Sequence, residues 1–251
     1  MFRVLAWNIR AGGGVRIDKI RQAIVELAPD VALLSEFRAT PPSVTLAAEL
    51  ARDGLCHQVS TSREVTKVAN GLLIASRTPV LPRNVRHRPI EPGRFKAIKI
   101  QAPAITIAGM HIPNQHTGRK PQYHDAIIKV MRGWRGGPAV FAGDTNSGRI
   151  GIDEQTRVFN KKTTQWFDQI EQAGWRDAFR LLHGNKREYT WYSPGHDNGF
   201  RLDQLFVSPQ LVDRVVSTQH IWVSDERQAH RREAVSDHAA LVMDLDLSGL
   251  D

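Results

Sequence analysis

Cysteine is nearly absent from this sequence. Its 251 residues include one, Cys56, so no internal disulfide can form, which agrees with a reducing compartment and an expected cytoplasmic location. Because Cys56 stands in no recognisable catalytic context, we expect a small buried side chain and not a nucleophile. The N-terminal segment also lacks the charged start, long apolar run and small-residue cleavage site of a signal peptide, so secretion is not indicated.

Long apolar runs are absent as well. No stretch approaches the roughly 18 apolar residues that a membrane helix needs, so we expect no membrane partner. The contents of 41% hydrophobic and 24% charged residues are ordinary for a globular protein. The length suits one α/β domain over residues 1–251. We expect a monomer, although no pattern in the sequence bears on the oligomeric state.

The formal net charge of +8 favours capture of a polyanion. The basic residues are spread along the chain and do not form one tail; Arg119 with Lys120 and Arg231 with Arg232 are two of the pairs. Each pair alone is typical of a solvated surface. The charge therefore supports a nucleic-acid partner without establishing one.

Short runs rich in Val, Ile and Leu end abruptly at polar residues, as buried strands do when they deliver side chains to a sheet edge. Strands are predicted at 2–7, 31–34, 105–110, 139–142, 205–208 and 239–245. Helical spacing of apolar residues from Ile17 to Leu27, ended by Pro29, predicts a crossover helix. Two further helices are predicted at 123–134 and 164–173, and the polar stretch 148–162 is expected to be a surface loop near the site.

The polar residues at the strand ends are carboxylates, amides and histidines. They supply Asn8, Glu36, His111, Asp144, Asn146, Asp203, Asp237 and His238. Any one of them alone is more typical of a capped turn than of catalysis. If they share a cleft, carboxylates about 4 Å apart repel by about 4 kcal/mol at a dielectric of 20, so a cation is required. Oxygen ligands without a cysteine cluster indicate Mg²⁺ or Mn²⁺.

Six short motifs in this order resemble the endonuclease/exonuclease/phosphatase superfamily, which includes DNase I and the exonuclease III type of abasic-site endonuclease. The motifs are Trp7-Asn8-Ile9-Arg10, Leu34-Ser35-Glu36, Gly109-Met110-His111-Ile112-Pro113-Asn114, Gly143-Asp144-Thr145-Asn146, Arg201-Leu202-Asp203 and Ser236-Asp237-His238. The resemblance implies an α/β fold, a four-layer sandwich of two mixed β-sheets flanked by helices. It also implies a divalent-metal-dependent phosphodiesterase.

The same resemblance assigns roles to the polar strand ends. It makes Glu36 the principal metal ligand, with Asn8 and Asp237 near the ion or the phosphate. Asp144 would orient and deprotonate the attacking water, and Asn146 would hold the phosphate.

The resemblance also assigns roles to the histidines. His238, oriented by Asp203, would stabilise charge on a nonbridging oxygen; the alternative, in which this histidine is the base, stays open. His111 resembles the histidine of DNase I and the sphingomyelinases and is a candidate acid for the leaving group.

Candidate nucleic-acid contacts follow from two parts of the family. Arg10 follows Asn8 and Ile9 as an arginine does in DNase I. Arg38 stands two residues after Glu36, like the DNase I arginine that reaches the minor groove, and Asn114 and Arg201 are added from their motifs. Arg10 stands where abasic-site enzymes have an acidic residue, which weakens the case for abasic specificity. Phe200 resembles an aromatic residue that forms the pocket for a flipped abasic sugar in the exonuclease III type, and a place in the core is an equal alternative.

Other aromatic residues and histidines have simpler interpretations. Core positions are expected for Trp175, Phe179 and Trp191. Surface positions are expected for four histidines, of which the first and last are candidate substrate contacts: His116, His124, His183 and His196.

The sequence thus favours an enzyme that hydrolyses nucleic acid, DNA in preference to RNA, as an endonuclease or exonuclease of nicking or repair type. One alternative is a phosphatase or sphingomyelinase-like phosphodiesterase, which should carry an exposed apolar loop for membrane docking, whereas the exposed segments here are expected to be polar or basic. A catalytically silent nucleic-acid-binding relative is the other alternative, disfavoured because every core catalytic position is filled.

Overall fold

A computed structural model describes residues 1–224 and 235–250 of the chain. The basic pair Arg231 and Arg232 lies outside the described residues. Within the described ranges, none of the helices combines the length and the apolar character needed to cross a lipid bilayer.

Strands and helices alternate along the described chain. The strands are β1 (Phe2–Asn8), β2 (Val31–Phe37), β3 (His57–Ser60), β4 (Gly71–Ser76), β5 (Val80–Pro82), β6 (Phe95–Ile100), β7 (Ile105–His111), β8 (Ala139–Asp144), β9 (Arg176–Asp177), β10 (Trp191–Tyr192), β11 (Gly199–Phe200), β12 (Asp203–Val207), β13 (Val215–Ile221) and β14 (Ala240–Leu245). The α-helices are α1 (Ile17–Leu27), α2 (Pro41–Arg52), α3 (Lys120–Arg132), α4 (Lys161–Gln172) and α5 (Ala178–His183). All six predicted strands and all three predicted helices are confirmed, with differences of at most three residues at any end.

Two six-stranded mixed sheets form the centre of the fold. The first has the order β13-β14-β1-β2-β4-β3 and the second the order β5-β6-β7-β8-β12-β9. Each contains one parallel pair, β1 with β2 and β7 with β8, and the other neighbours run antiparallel. Strands β10 and β11 form a separate hairpin.

Successive side chains of each strand point to opposite faces of its sheet, and the two sheets with the helices on their outer faces form four layers. Residues such as Val4 and Ile107 face into the core between the two sheets, whereas Trp7 packs outward against α1 and α2. On the other side, Phe141 packs against α3 and α4. Because both faces of the central strands are covered, these strands are apolar along nearly their whole length, as buried parallel pairs are. The expected four-layer α/β sandwich is confirmed.

The topology gathers polar residues at one edge. Strands β1, β2, β7 and β8 end there, and the antiparallel strands β12 and β14 begin there. Across the second sheet the register pairs His111 with Asp144, and Asp144 with Asp203. Three polar residues that are distant in sequence are therefore neighbours on adjacent strands.

Four residues were expected to be buried, and two of them are. Trp175 and Phe179 are buried, as expected for core residues. Trp191 is only half-buried, because it lies on the β10–β11 hairpin at the polar edge and not between the layers. Cys56 is exposed, since the chain between α2 and β3 buries its neighbour Leu55 instead. The expectations for Trp191 and Cys56 were wrong.

Candidate active site

Asn8 connects the two sheets. Its amide nitrogen Nδ2 donates to Oε1 of Glu36 at 3.3 Å and to Oδ2 of Asp144 at 3.0 Å. Its carbonyl oxygen accepts the backbone N–H of Arg10 at 3.0 Å. Since Glu36 belongs to the first sheet and Asp144 to the second, one buried amide holds a carboxylate from each sheet.

Glu36 reaches this position through an irregularity in its strand. The register of β2 against β4 shifts between Ser35 and Phe37, and Glu36 adopts a positive φ of 59°. Residues other than glycine are uncommon in this left-handed region. Register shifts of this kind, called β-bulges, re-aim side chains near functional sites. The backbone N–H of Ala11 donates to Oε2 of Glu36 at 2.7 Å, which fixes the carboxylate beside Asn8.

Two histidines face the carboxylate of Asp144. Nε2 of His111 lies 3.7 Å, and Nε2 of His238 3.9 Å, from Oδ2 of Asp144. The other ring nitrogen of His238, Nδ1, hydrogen bonds to Oδ2 of Asp203 at 2.9 Å. The backbone N–H of Asn146 donates to Oδ1 of Asp144 at 2.8 Å, so both oxygens of Asp144 are engaged.

Burial and charge give these groups different protonation states. Burial alone would lower the pKa of His238, but the charge and hydrogen bond of Asp203 outweigh it and raise the pKa to about 10. Burial raises the pKa of Asp144 to about 7. Burial, with the positive charge of Arg94, lowers the pKa of His111 to about 3. At neutral pH, His238 is therefore a cation and His111 is neutral.

Asp237 and Trp191 border the same cluster. Oδ2 of Asp237 accepts the indole N–H of Trp191 at 3.4 Å and lies 3.9 Å from Nε of Arg10. Oδ1 of Asp237 is buried and has no hydrogen-bond partner among the described residues. The backbone of Trp191 bridges to His238. Trp191 is thus a site residue that the sequence reasoning missed, because its apolar ring was interpreted as part of the core.

The donor set suits a hard divalent cation. Among the described residues, ligand atoms of Asp144, Asp203 and His238 all lie within 4.8 Å of one another. Two of these three residues, His238 and Asp203, already hydrogen bond to each other. Glu36 offers carboxylate oxygens beside Asn8, and Asp237 offers a buried Oδ1 that has no hydrogen-bond partner among the described residues. Oxygen donors of this kind are the ligands that Mg²⁺ and Mn²⁺ prefer.

Asn146 and Lys120 lie at the margin of the cluster. Asn146 has a positive φ of 48°, and its amide nitrogen donates to the carbonyl oxygen of Ile112 at 2.9 Å. The ammonium of Lys120 donates to the backbone carbonyl of Asn146. Burial lowers the pKa of Lys120 to about 8, against the attraction of Asp144. The sequence marked Lys120 only as one member of a basic surface pair, so its place beside the site was missed.

Four of the five candidate nucleic-acid contacts lie near this edge of the sheets. Arg10 is exposed, and Arg38 is half-buried with its Nε donating to Oδ1 of Asn70 at 2.7 Å. Asn114 is exposed and Phe200 is largely buried, and both line a cleft beside the cluster.

The structure corrects the prediction that Arg201 contacts nucleic acid. Its side chain is 0% exposed, its Nε pairs with Asp153 at 2.7 Å, and its Nη2 pairs with Asp177 at 2.6 Å. Arg180 also pairs with Asp153. The side chain points away from the cleft, toward α5, so Arg201 cannot contact nucleic acid in this structure. It holds the strand that carries Asp203, and its desolvated charge is tolerated because two carboxylates surround it.

The loop at 148–162 is only partly a surface loop. Its residues Asp153 and Glu154 are fully buried. Oε2 of Glu154 accepts the backbone N–H groups of Val158 and Phe159 at 2.5 and 2.6 Å. A buried carboxylate therefore fixes the outer part of the loop beside the cleft.

Two of the four histidines are exposed as expected: His116 and His196, which also line the cleft. The surface positions expected for the other two were wrong. His124 is half-buried, stacked on Trp166 with ring centroids 4.2 Å apart, and burial lowers its pKa to about 3. His183 is half-buried and hydrogen bonds to the carbonyl of Thr218 at 3.1 Å.

Comparisons with known proteins agree with this architecture. Three similar solved structures are a 3′ phosphatase NExo from Neisseria bound to product DNA hairpin, an AP endonuclease from Archaeoglobus fulgidus and a 3′-5′ exonuclease (NExo) from Neisseria meningitidis. Their TM-scores are 0.79, 0.78 and 0.78, and each is 23% identical over 98% of this chain and 100% of its own. These likenesses establish the shared fold. The sequence model of the Endonuclease/Exonuclease/phosphatase family matches residues 5–238, so the chain belongs to this family, as its motifs had indicated.

Proposed function

We propose that the chain is a divalent-metal-dependent hydrolase of DNA phosphodiester bonds, in which water attacks phosphorus in line with the leaving oxygen. Family membership makes it a hydrolase of phosphate esters, of nuclease or phosphatase type. One observation carries the proposal: Asn8 joins Glu36 and Asp144 across the two sheets, while His111 and His238 face the same oxygen of Asp144.

Asp144 is the proposed base. Its oxygens are oriented by the N–H groups of Asn8 and Asn146. Burial raises its pKa to about 7, close to the pH at which the enzyme would work, so it can hold and release the proton of the attacking water. The alternative in which His238 is the base is disfavoured, because a histidine with a pKa of about 10 is already protonated at neutral pH.

His238 is the proposed stabiliser of developing charge. Its Nδ1 is held by Asp203, which leaves Nε2 to donate to a phosphate oxygen. A fixed imidazolium in a buried site stabilises the more highly charged transition state more than the ground state. Burial lowers the pKa of His111 to about 3, which favours a neutral hydrogen-bond donor to the leaving oxygen over a proton-donating acid.

Glu36 and Asp237, with Asn8, are the residues that would hold Mg²⁺ or Mn²⁺. When bound, such an ion neutralises phosphate charge and polarises the phosphorus. Calorimetric titration with Mn²⁺ should show binding to the wild type and at least a tenfold loss of affinity in Glu36→Gln. The matched control is Glu64→Gln, which removes an exposed carboxylate paired with Lys96. Equal affinities in all three proteins would remove Glu36 from the metal site.

DNA is the proposed substrate in preference to RNA. Arg10 and Arg38 lie at the margin of the site, and the net charge of +8 favours a polyanion. One of the solved structures of similar fold holds a DNA hairpin product. A cytoplasmic location is proposed on the near absence of cysteine. The expected monomer stays a prediction.

A lipid phosphodiesterase is the second candidate, and one observation favours it. The sequence was expected to offer only polar or basic exposed segments, but three aliphatic residues are among the most exposed in the described chain: Val15 in a 3-10 turn after β1, Val68 before β4 and Ile90 before β6. Exposed apolar side chains can dock on a bilayer. Sedimentation with vesicles that contain phosphatidylserine or sphingomyelin, followed by an assay for headgroup release, distinguishes this candidate.

The proposed function is tested by incubating the purified protein with plasmid, abasic-site duplex, single-stranded DNA and RNA, each with Mg²⁺, Mn²⁺ or EDTA. We expect metal-dependent cleavage of at least one DNA substrate and slower cleavage of the matched RNA. No cleavage of any DNA under these conditions, or cleavage that persists in EDTA, would contradict the proposal. Headgroup release without DNA cleavage would instead support the second candidate.

A further inference from the structure

Positive charge is concentrated in the middle of the chain. Residues 65–143 contain thirteen lysines and arginines but two carboxylates, Glu91 and Asp125. Glu91 pairs with Arg119, and Asp125 lines the cleft beside the active site. This segment therefore carries more net positive charge than the whole chain, whose formal charge is +8. Charge asymmetry of this kind is typical of chains that bind a polyanion.

Two of these cations lie on the outer face of the second sheet. Ile98 faces the core between the sheets, so its neighbour Lys99 points to the opposite face. Lys99 stands opposite Leu81 of β5. Arg83 follows Leu81 by two residues, and its backbone N–H donates to the carbonyl of Ala97 at 2.9 Å, which continues the ladder. Arg83 and Lys99 therefore share one face.

Three more cations lie where α3 ends. Lys129 and Arg132 belong to its last turn, and Nη1 of Arg135, in the loop that follows, donates to the carbonyl of Trp134 at 2.8 Å. The guanidinium of Arg83 lies over the ring of Trp134, 5.9 Å from its centroid, and so joins the two groups. We call this surface the basic flank, and it consists of Arg83, Lys99, Lys129, Arg132 and Arg135.

The stability of the fold does not account for the basic flank. Cations in the last turn of a helix stabilise its C-terminus, which explains only Lys129 and Arg132. Within residues 1–224 and 235–250, none of the five side chains forms an ion pair. Because like charges without a carboxylate partner repel one another, an anionic ligand would remove unfavourable energy here.

The basic flank is separate from the active site. Lys99 is in register with Thr106, and Thr106 with Ala139, the first residue of β8. Asp144 ends the same strand, about 17 Å farther on at the usual rise of 3.3–3.4 Å per residue. A phosphate held near Lys99 and Arg135 is therefore not the phosphate that reacts.

We propose that the basic flank is a second nucleic-acid-binding surface, which holds the phosphate backbone of a DNA strand outside the active site. Three of its five cations are arginines, whose planar guanidinium donates two parallel hydrogen bonds to a phosphate. Contacts to phosphates position a nucleic acid without reading its bases, so we expect no sequence preference. The inference goes beyond the proposed function, because binding at this surface requires neither a metal nor cleavage.

Fluorescence anisotropy in EDTA tests the inference with a single-stranded DNA of about 30 nucleotides, which exceeds the site sizes of about 4–16 nucleotides known for single-strand binding folds. Arg132→Gln/Arg135→Gln removes two exposed charges of the basic flank. At about 100 mM salt its Kd should rise about fivefold or more. The slope of log affinity against log salt should become shallower by about 1.4, because each phosphate contact contributes about 0.7 for single strands.

The matched control is Lys19→Gln/Arg52→Gln, which also removes two exposed charges but from α1 and α2, on the opposite outer layer of the sandwich. Its Kd should stay within about twofold of the wild type, and its salt slope should not change. Equal losses in the two double variants would reduce the effect to net charge and overturn the inference. An unchanged Kd in Arg132→Gln/Arg135→Gln would overturn it as well.

Two other polyanions identify the partner. Polyglutamate should compete for the labelled DNA at least tenfold less well than unlabelled DNA, and sedimentation with phosphatidylserine vesicles should be the same for the wild type and Arg132→Gln/Arg135→Gln. If the substitutions weaken vesicle or polyglutamate binding but not DNA binding, the basic flank serves a membrane or an acidic protein and the inference is wrong.

The outcomes separate this inference from the proposed function. Weaker DNA binding by Arg132→Gln/Arg135→Gln, without metal-dependent cleavage of any DNA by the wild type, would support the basic flank and contradict the nuclease. Metal-dependent cleavage together with an unchanged Kd in this variant would contradict the basic flank alone.

Discussion

Replacement of Asp203 by asparagine should change the titration of His238. In the wild type, Asp203 opposes the effect of burial and raises the pKa of His238 to about 10. Removing one partner of a buried ion pair costs about 3–5 kcal/mol. Because one pH unit corresponds to about 1.36 kcal/mol, the pKa of His238 should fall by about 2 to 4 pH units, to roughly 6–8.

The sign of the effect fixes the expected pH profile. In the proposed mechanism His238 acts as a cation, so activity in the wild type should persist as the pH rises until it approaches 10. In Asp203→Asn the basic limb of kcat/KM should move down to roughly pH 6–8, and activity at pH 9 should be lost first.

Nuclear magnetic resonance of the histidine side chains in EDTA measures the pKa directly and does not depend on turnover. The matched control is Asp213→Asn, which removes an exposed carboxylate that lies outside the cluster. We expect the His238 signals of the control to titrate as in the wild type. If His238 titrates at the same pH in Asp203→Asn as in the wild type, the account of this buried pair is refuted.

Three further outcomes are expected. Asp144→Asn should lower kcat by at least a hundredfold and leave the Kd for DNA within about threefold, as measured by rapid quench and fluorescence anisotropy; equal losses of both would indicate misfolding. Arg201→Met should leave the buried Asp177 without an arginine partner and Asp153 with Arg180 alone. It should reduce the free energy of unfolding by about 3–5 kcal/mol in urea titrations, whereas a change below about 1 kcal/mol would show that the buried network is not stabilising. Burial lowers the pKa of His124 to about 3. As the pH drops below about 6.5, the unfolded state therefore binds a proton before the folded state does, and the free energy of unfolding falls. His124→Gln should lose less stability between pH 7 and 4 than the wild type, and an unchanged acid dependence would argue against a neutral His124.

Much of the site could be predicted because strand ends are local features. Asn8, His111 and Asp144 each follow an apolar run, and the topology then places such ends side by side. The motif order supplied the fold, since periodicity alone does not specify how two sheets pack. The position of Glu36 was predicted, but its positive φ and the shifted register that aim its carboxylate were not, because they depend on pairing with β4.

The misplaced residues depend on partners that are distant in sequence. Arg201 looked like a nucleic-acid contact, yet Asp153 and Asp177 bury it. Trp191 looked like core, yet the hairpin that carries it stands beside Asp237. Lys120 is basic in sequence like its neighbours, and only the packing of α3 against the strand end at Asn146 sets it apart. Residue type predicts whether a side chain prefers burial or exposure. Its actual position depends on the residues with which it pairs or packs in the folded chain.

In the proposed reaction, one water, positioned by Asp144, displaces the leaving oxygen at phosphorus in a single step. The most direct test uses DNA with one phosphorothioate of known configuration, cleaved in water enriched in oxygen-18, with the configuration of the product then determined. A single in-line displacement inverts the configuration at phosphorus, and inversion is the result expected. Retention would contradict the account, because it requires two displacements through an intermediate joined to a side chain such as His111 or His238.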